Sequence, residues 1–353
     1  MFPLNEKVQN LTPYDPITGQ YPIRLDANES FITLSKEMKT ELADELQSTH
    51  FNRYPDPLAA EVRAGFAAFY GVPTECVMAG NGSDEVISVV MNAFLQKGDT
   101  VITLERDFSM YSFYTSIVEC KNAVVPKKDD FSIDVDRVIE TANRENARMI
   151  VFSNPCNPTS LVLKREEVRR LITSVQSLVV LDEAYMDFSS ESLLSEFSEY
   201  DNLLILKTCS KAIGMAAVRL GFAVGQKRLI DVLLAVKSPY NVNTLTQTVG
   251  TVIFSHPDYI RTSIQRILES RDDLYNAVLK LAKAYPERLA PVKPDTNFVY
   301  IKTAEACEIF DYLKEKGVIV RCMGDCLRVT AGRNYENEAV IEHLEAYLKG
   351  ESR

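Results

Sequence analysis

Leu203-Leu-Ile-Leu-Lys-Thr-Cys-Ser-Lys-Ala-Ile-Gly-Met-Ala-Ala-Val-Arg-Leu-Gly-Phe-Ala-Val224 is the stretch from which the fold can be read. Two short apolar runs, Leu203–Lys207 and Arg219–Val224, bracket a turn of small residues. Apolar runs of this length without alternation predict strands buried on both faces. The same pattern recurs at Thr100–Leu104, Arg148–Ser153 and Leu178–Leu181, with helical spacing between several of the runs, as over Lys164–Val175. Strands alternating with helices predict the α/β class: a large domain with a mostly parallel sheet flanked by helices. After a helical stretch over Ile260–Ala284 the pattern changes to strands at Asn297–Ile301, Val318–Arg321 and Leu327–Thr330, with helices between and after them. This predicts a smaller α+β domain. The first forty or so residues contain Pro3, Pro13, Pro16 and Pro22 and have little periodicity, which predicts an extended arm. No repeat or Gly/Ser linker separates the parts. The expected division is residues 1–43 as arm and part of the small domain, 44–263 as the large domain and 264–353 as the small C-terminal domain.

With 353 residues, 46% hydrophobic and 25% charged, the chain has the composition of an ordinary globular protein and can bury a sizeable core. Its 39 basic and 49 acidic residues leave a net charge of −10, which argues against nucleic acid or an anionic membrane as partner. No apolar run approaches the ~18 residues of a membrane helix. The opening Met-Phe-Pro-Leu-Asn-Glu-Lys has no signal-peptide core, so a cytoplasmic location is expected. Seven scattered cysteines without a Cys-x-x-Cys pattern read as reduced thiols. Cys322 and Cys326 have no second pair and His50, His256 and His343 stand apart, so no metal is expected.

Lys211 ends a predicted strand among small and hydroxyl residues, with Arg219 eight positions on. On spacing alone it reads equally as a surface lysine. Buried, its amine would lose proton affinity and become nucleophilic toward an aldehyde. Thr208, Ser210 and Arg219 would then offer hydrogen bonds and charge to a phosphate on that aldehyde. Upstream, Leu178-Val-Val-Leu-Asp-Glu-Ala-Tyr185 places Asp182 and Tyr185 at a strand's C-terminal end, where open α/β sheets keep their ligand crevice. Helix capping or simple solvation serves a lone carboxylate there equally well. Asn154-Pro-Cys-Asn-Pro-Thr-Ser160 follows another strand, and its two Asn-Pro steps predict a rigid turn that presents the Asn157 amide. Gly80-Asn-Gly-Ser-Asp-Glu-Val-Ile87 introduces a helical pattern through a glycine turn and a Ser83/Asp84 cap. Backbone amides there suit a phosphate or a plain N-cap. Gly-x-Gly-x-x-Gly is absent, which sets a dinucleotide-dependent dehydrogenase aside.

Taken in chain order with Leu327-Arg-Val-Thr330, these segments resemble the aspartate-aminotransferase-like, fold type I enzymes, which use pyridoxal 5'-phosphate. Within that superfamily the chain most resembles the histidinol-phosphate aminotransferases. The segments concerned are Leu11-Thr-Pro-Tyr14, Leu25-Asp-Ala-Asn-Glu29, Asn52-Arg-Tyr-Pro-Asp56, Phe108-Ser-Met-Tyr111, Ser210-Lys-Ala212 and the pair Arg321 and Arg328. The resemblance implies transfer of an amino group between histidinol phosphate and 2-oxoglutarate or glutamate, in histidine biosynthesis. Lys211 would bond the cofactor aldehyde and later carry the proton taken from the substrate α-carbon. Asp182 would keep the pyridine nitrogen protonated, while Tyr185 and Asn157 would hydrogen-bond the phenolic oxygen. The amides of Ser83 and Asp84, with Thr208, Ser210 and Arg219, would clamp the phosphate, and Phe108 would stack on the ring. A homodimer with shared sites is implied, Tyr54 reaching the neighbouring subunit's cofactor phosphate. Arg321 and Arg328, covered by Tyr14 from the arm and assisted by Asn157, would bind the substrate phosphate or glutamate's carboxylates.

Several positions depart from the family pattern. Phe108 stands where Tyr or Trp is commoner, Ser160 where Gly usually follows Asn-Pro-Thr, and Ala331-Gly-Arg333 replaces a Gly-Thr ending. The segment Tyr14–Tyr21 lacks the Pro-Gly-Lys-Pro version of many relatives. A changed backbone is therefore expected after Thr159. An aminotransferase for free aromatic amino acids and a threonine-phosphate-type decarboxylase are the alternatives on the same fold. A cofactor-sensing transcription regulator would need a basic DNA-binding domain that residues 1–30 do not supply.

Overall fold

A computed structural model describes residues 2–9, 11–13 and 17–350. Thirteen strands occur among them. In chain order they are β1 (Ile23–Arg24), β2 (Val77–Asn81), β3 (Thr100–Leu104), β4 (Lys121–Val125), β5 (Met149–Ser153), β6 (Leu178–Asp182) and β7 (Leu203–Thr208). β8 (Leu220–Gly225), β9 (Ala290–Val292), β10 (Phe298–Lys302), β11 (Val318–Ile319), β12 (Arg321–Cys322) and β13 (Cys326–Thr330) follow.

The large sheet has seven strands in the order β2-β8-β7-β6-β5-β3-β4. All its neighbours run parallel except β8, which is antiparallel to both β2 and β7. β5, β7 and β8 are buried at every position because helices cover both faces, which is why these strands read as continuous apolar runs. Two strands of this sheet escape that reading. β2 is Val-Met-Ala-Gly-Asn, with too few large side chains to register, and the edge strand β4 exposes Lys121 and Asn122.

The second core is built from both ends of the chain. Ile23 and Leu25 pack with Leu274, Val278, Val299, Ile309, Val320 and Leu344. Its sheet runs β12-β13-β10-β9, antiparallel throughout, while β1 and β11 form a separate parallel pair. The expected single strand Val318–Arg321 is therefore two. Ile319 ends the pairing with the arm, and Arg321 begins the pairing with β13. The arm departs from expectation too: Glu6–Gln9 is a helical turn, β1 joins the small core, and a helix starts at Lys36, capped by the Ser35 hydroxyl.

One helix joins the two cores. Pro257–Ala284 begins with Pro at its first position, where no intrahelical N–H is lost. It gives Ile260 to the core under the large sheet, Ile267 to a small cluster with Tyr185, Ala212 and Phe298, and Leu274, Val278 and Leu281 to the second core. The cluster between them lies directly beneath the residues described next. Arg106, in the turn after β3, also bridges the parts through a bidentate ion pair with Asp325 in the β12–β13 turn, at 2.9 and 2.8 Å.

Candidate active site

The chemistry-bearing turns all follow strands at one end of the large sheet, as expected for a crevice at carboxyl ends. Asp182 ends β6, 4% exposed. Its Oδ2 accepts from the Tyr111 hydroxyl at 2.7 Å and its Oδ1 accepts from the Ala184 amide at 3.0 Å. Burial pushes its carboxyl up to about 6, against the pull of those hydrogen bonds. Tyr111 is itself fully buried in the helix Met110–Ile117, and burial beside the Asp182 charge holds its phenol far above the usual range. A buried tyrosine needs an acceptor, and Asp182 supplies it.

Lys211 lies in the turn after β7. Its Nζ donates to the Ala27 carbonyl at 2.8 Å and stands 5.9 Å from the centre of the Tyr185 ring. The Tyr185 hydroxyl accepts from Asn28 Nδ2 at 2.8 Å. Asn28, at φ +55, also accepts through Oδ1 from Thr330 Oγ1 at 3.2 Å, and its carbonyl accepts from Asn297 Nδ2 at 3.1 Å. The arm thus ties Tyr185 to the small sheet.

Beside Lys211, Ser210, Arg219 and the helix Gly82–Phe94 form a cradle. Arg219 adopts φ +54 and directs its guanidinium back along the turn, 3.4 Å from Ser210 Oγ and 3.4 Å from Asp84 Oδ2. The cradle admits no extra side-chain atoms. A Cβ on Gly82 would lie 2.6 Å from Arg219 Nη2, and one on Gly221 would lie 2.4 Å from the Ser83 amide nitrogen. Ser83 and Asp84 do not cap the helix, contrary to the expectation from sequence. They sit inside its first turn, and Glu85 reaches back to accept the Asn81 amide at 2.6 Å. Their amides remain among the donors that have no intrahelical acceptor. Thr208 is buried, and its hydroxyl accepts the Ser210 amide at 3.2 Å, which shapes the turn.

Phe108 is half-buried, edge-on to Tyr111 at 5.5 Å between ring centres. Its amide donates to Asp107 Oδ1 at 2.7 Å, and the same carboxylate accepts from the Ser153 hydroxyl. Ser153 Oγ accepts the Asn157 amide at 3.1 Å, so one chain of hydrogen bonds positions both Phe108 and Asn157. Both Asn-Pro bonds, 154–155 and 157–158, are cis. Ser160 keeps φ +67, the left-handed conformation that favours glycine. It is held there by Thr296, whose hydroxyl lies 2.6 Å from its own, so the serine has not relaxed the turn.

Arg321 and Arg328 are directly opposite in the β12–β13 ladder and so share one face of the small sheet. Arg328 is 9% exposed. Its Nη1 donates to Asn157 Oδ1 at 2.5 Å, its Nη2 donates to the Asp26 carbonyl at 2.7 Å, and its guanidinium lies 5.4 Å from the Phe298 ring centre. Tyr54 lies elsewhere, 81% exposed and stacked on Tyr240 at 4.6 Å. Tyr14 falls outside the described residues. Sequence reasoning gave no role to Asn28, Tyr111 or Asp107. Only Asn28 carried a local signal, since asparagine tolerates positive φ.

The family model of class I and II aminotransferases matches residues 21–344. The histidinol-phosphate aminotransferase of Clostridium novyi (strain NT) is 40% identical over 339 residues, covering 95% of this chain and 94% of that one. That of Pyrococcus furiosus is 35% identical over 348 residues, covering 98% of each. Among solved structures, histidinol-phosphate aminotransferase from Sinorhizobium meliloti in complex with pyridoxal-5'-phosphate superposes with a TM-score of 0.87 at 20% identity, covering 98% of each chain.

Proposed function

This chain belongs to the class I and II aminotransferases, and on that premise we propose that it transfers the amino group between histidinol phosphate and 2-oxoglutarate or glutamate, in histidine biosynthesis. Pyridoxal 5'-phosphate is the cofactor. The residues present fit it. Arg219, Ser210 and the amides of Ser83 and Asp84 make a small cradle of hydrogen-bond donors that the two glycines keep open. Asp182 is a desolvated carboxyl whose ionised form gains most from a cationic partner.

When bound, the cofactor supplies an aldehyde that takes up the amino group and a protonated ring that delocalises the electron pair left on the substrate carbon. The rest is the protein's own work. Asp182, fixed by Tyr111 and the Ala184 amide, holds the proton at the pyridine nitrogen. Tyr185 and Asn157 would donate toward the phenolic oxygen and Phe108 would cover one ring face, while Thr208 holds the Ser210 turn in shape. Lys211 Nζ, freed from the Ala27 carbonyl, takes the proton from the substrate α-carbon and returns it on the other side of the transfer. Catalytic roles are thereby assigned to Lys211, Asp182 and Tyr185.

The observation that carries the substrate class is the pairing of Arg321 with Arg328. Like charges directly opposite one another in a ladder repel. An anion between them relieves the repulsion, and a phosphate or carboxylate has the geometry for it. The same site therefore takes histidinol phosphate in one half-reaction and glutamate in the other, with Tyr14 as a further contact from the arm. Turnover of histidinol phosphate with 2-oxoglutarate should exceed that of phenylalanine, tyrosine and O-phosphothreonine. A preference for a free aromatic amino acid, or release of carbon dioxide from phosphothreonine, overturns this assignment.

The proposed working form is a homodimer with shared sites, in the cytoplasm. Residues 51–58 lie along 237–247, where Gln247 donates to the Asp56 carbonyl and Lys237 to the Pro57 carbonyl. Phe51, Tyr54, Leu58 and Tyr240 are exposed there. Such a surface suits a second copy, in whose cradle Tyr54 would meet the phosphate. Mixing Lys211→Ala with Tyr54→Ala chains should restore activity, because one intact site can assemble in the mixed dimer. No recovery after proven subunit exchange would sink the sharing.

A further inference from the structure

The hairpin that carries Arg321 also carries a thiol. Cys322 follows Arg321 in β12, and successive strand residues face opposite ways. Its side chain therefore leaves the arginine face and meets the helix Ala306–Glu315. There Cys307, the second residue of that helix, brings its sulfur to 3.3 Å from Cys322 Sγ. No bond joins them: all seven cysteines are free. The separation exceeds a disulfide's ~2.05 Å by little more than an ångström, a movement within reach of side-chain rotation.

The two sulfurs are not equivalent. Cys307 is exposed at the second position of a ten-residue helix, where a small oxidant in solvent can reach its sulfur. Cys322 is half-buried behind it. Cys326, the sequence neighbour, is buried with its sulfur turned to the Met323 carbonyl.

The geometry points to Cys307 and Cys322 as an oxidative modification site that forms a reversible disulfide on exposure to a hydroperoxide. The Cys307 thiolate attacks one peroxide oxygen and the O–O bond breaks. The departing hydroxide takes a proton, which leaves Cys307 as a sulfenic acid. Cys322, losing its proton, then attacks the Cys307 sulfur, the S–O bond breaks and water leaves. With hydrogen peroxide, two thiols and one peroxide give one disulfide and two waters, two electrons passing from the sulfurs to oxygen. The new bond ties the two-residue strand β12, and with it Arg321, to the helix beside it.

The test uses the full-length, cofactor-loaded protein, reduced and then treated with hydrogen peroxide. Digestion without reductant should yield the Cys307 and Cys322 peptides joined and lighter by two hydrogens, and dithiothreitol should separate them. In Cys322→Ser the same treatment should leave Cys307 as a sulfenic acid that dimedone captures. In Cys307→Ser, Cys322 should stay alkylatable at the same peroxide dose. Amide exchange over residues 321–327 should slow by at least ~10-fold in the oxidised protein, since local opening must now break a covalent tie. The inference fails if Cys307 and Cys322 both stay alkylatable while Cys76 or Cys120 oxidises, or if Cys307 bonds to a second chain instead. These readouts are independent of the substrate assignment.

Discussion

On the large sheet Asp182 is aimed by the strand it ends; on the small sheet Arg328 is aimed by residues drawn from distant parts of the chain. Asn157, Asp182, Tyr185, Ser210 and Lys211 each lie in or just after the strand that positions them, within a few residues of β5, β6 or β7. Arg328 depends on Asp26 and Asn157, and Tyr185 is tied to the small sheet through Asn28, with its bonds to Thr330 and Asn297, and through edge-to-face packing on the Phe298 ring. The difference lies in what each side tolerates. On the large sheet β5, β6 and β7 are each paired on both sides, so the turns that follow them start from fixed strand ends. The substrate side is only as well placed as the packing of arm, hairpin and long helix makes it. The Arg106–Asp325 pair across that seam is more than a third exposed on both sides and adds at most about 1 kcal/mol.

The largest effect is expected on the large-sheet side. Asp182→Asn keeps the Tyr111 partner and the shape of the site but cannot hold a proton at the pyridine nitrogen by charge. Turnover should fall by about 10²–10⁴-fold with cofactor still bound; near-normal turnover would reject the role. The cofactor-free protein tests the same carboxyl another way. Its folded value of about 6 lies above the ordinary 3.8, so the folded state binds the proton more tightly than the unfolded one. The resulting stability is full below about pH 4 and is lost as pH rises through about 6. Thermal melts of cofactor-free wild type between pH 5 and 7 should show a drop in Tm that is smaller in Asp182→Asn.

A smaller effect is expected at the arginines, and the two should differ. Arg328 is buried and hydrogen-bonded across the seam, so Arg328→Ala should cost about 10–100-fold in kcat/KM for histidinol phosphate, taking ~1.5–3 kcal/mol per charged hydrogen bond. Arg321 is half-buried and ends the ladder, so Arg321→Ala should fall near the lower end of that range. Both should affect uncharged histidinol much less. Equal losses with histidinol would show that the arginines hold the hairpin together and do not read the anion.

The sequence shows those features whose cause is local. Apolar runs at β5, β6 and β7 reveal a covered sheet because burial on both faces leaves no room for alternation. The turn residues that follow are legible because a strand's end fixes where the next side chains stand. β2 and β4 escape for equally local reasons, one rich in small residues and the other an exposed edge. Ser160 misleads in the opposite direction: its residue type suggests an altered turn, but buried hydrogen bonding to Thr296 holds the left-handed backbone.

Apolar patterning by itself thus determined the α/β class and the second core, and the order of the motifs carried the resemblance to the family and its cofactor. Tertiary structure alone decided that Tyr111 supports Asp182, that Asn28 holds Tyr185, that Arg321 stands opposite Arg328, and that Cys307 meets Cys322. Each of these pairs joins residues far apart in the chain, or fixed by strand register, and hydrogen bonds and ladder register form only once the chain has brought them together.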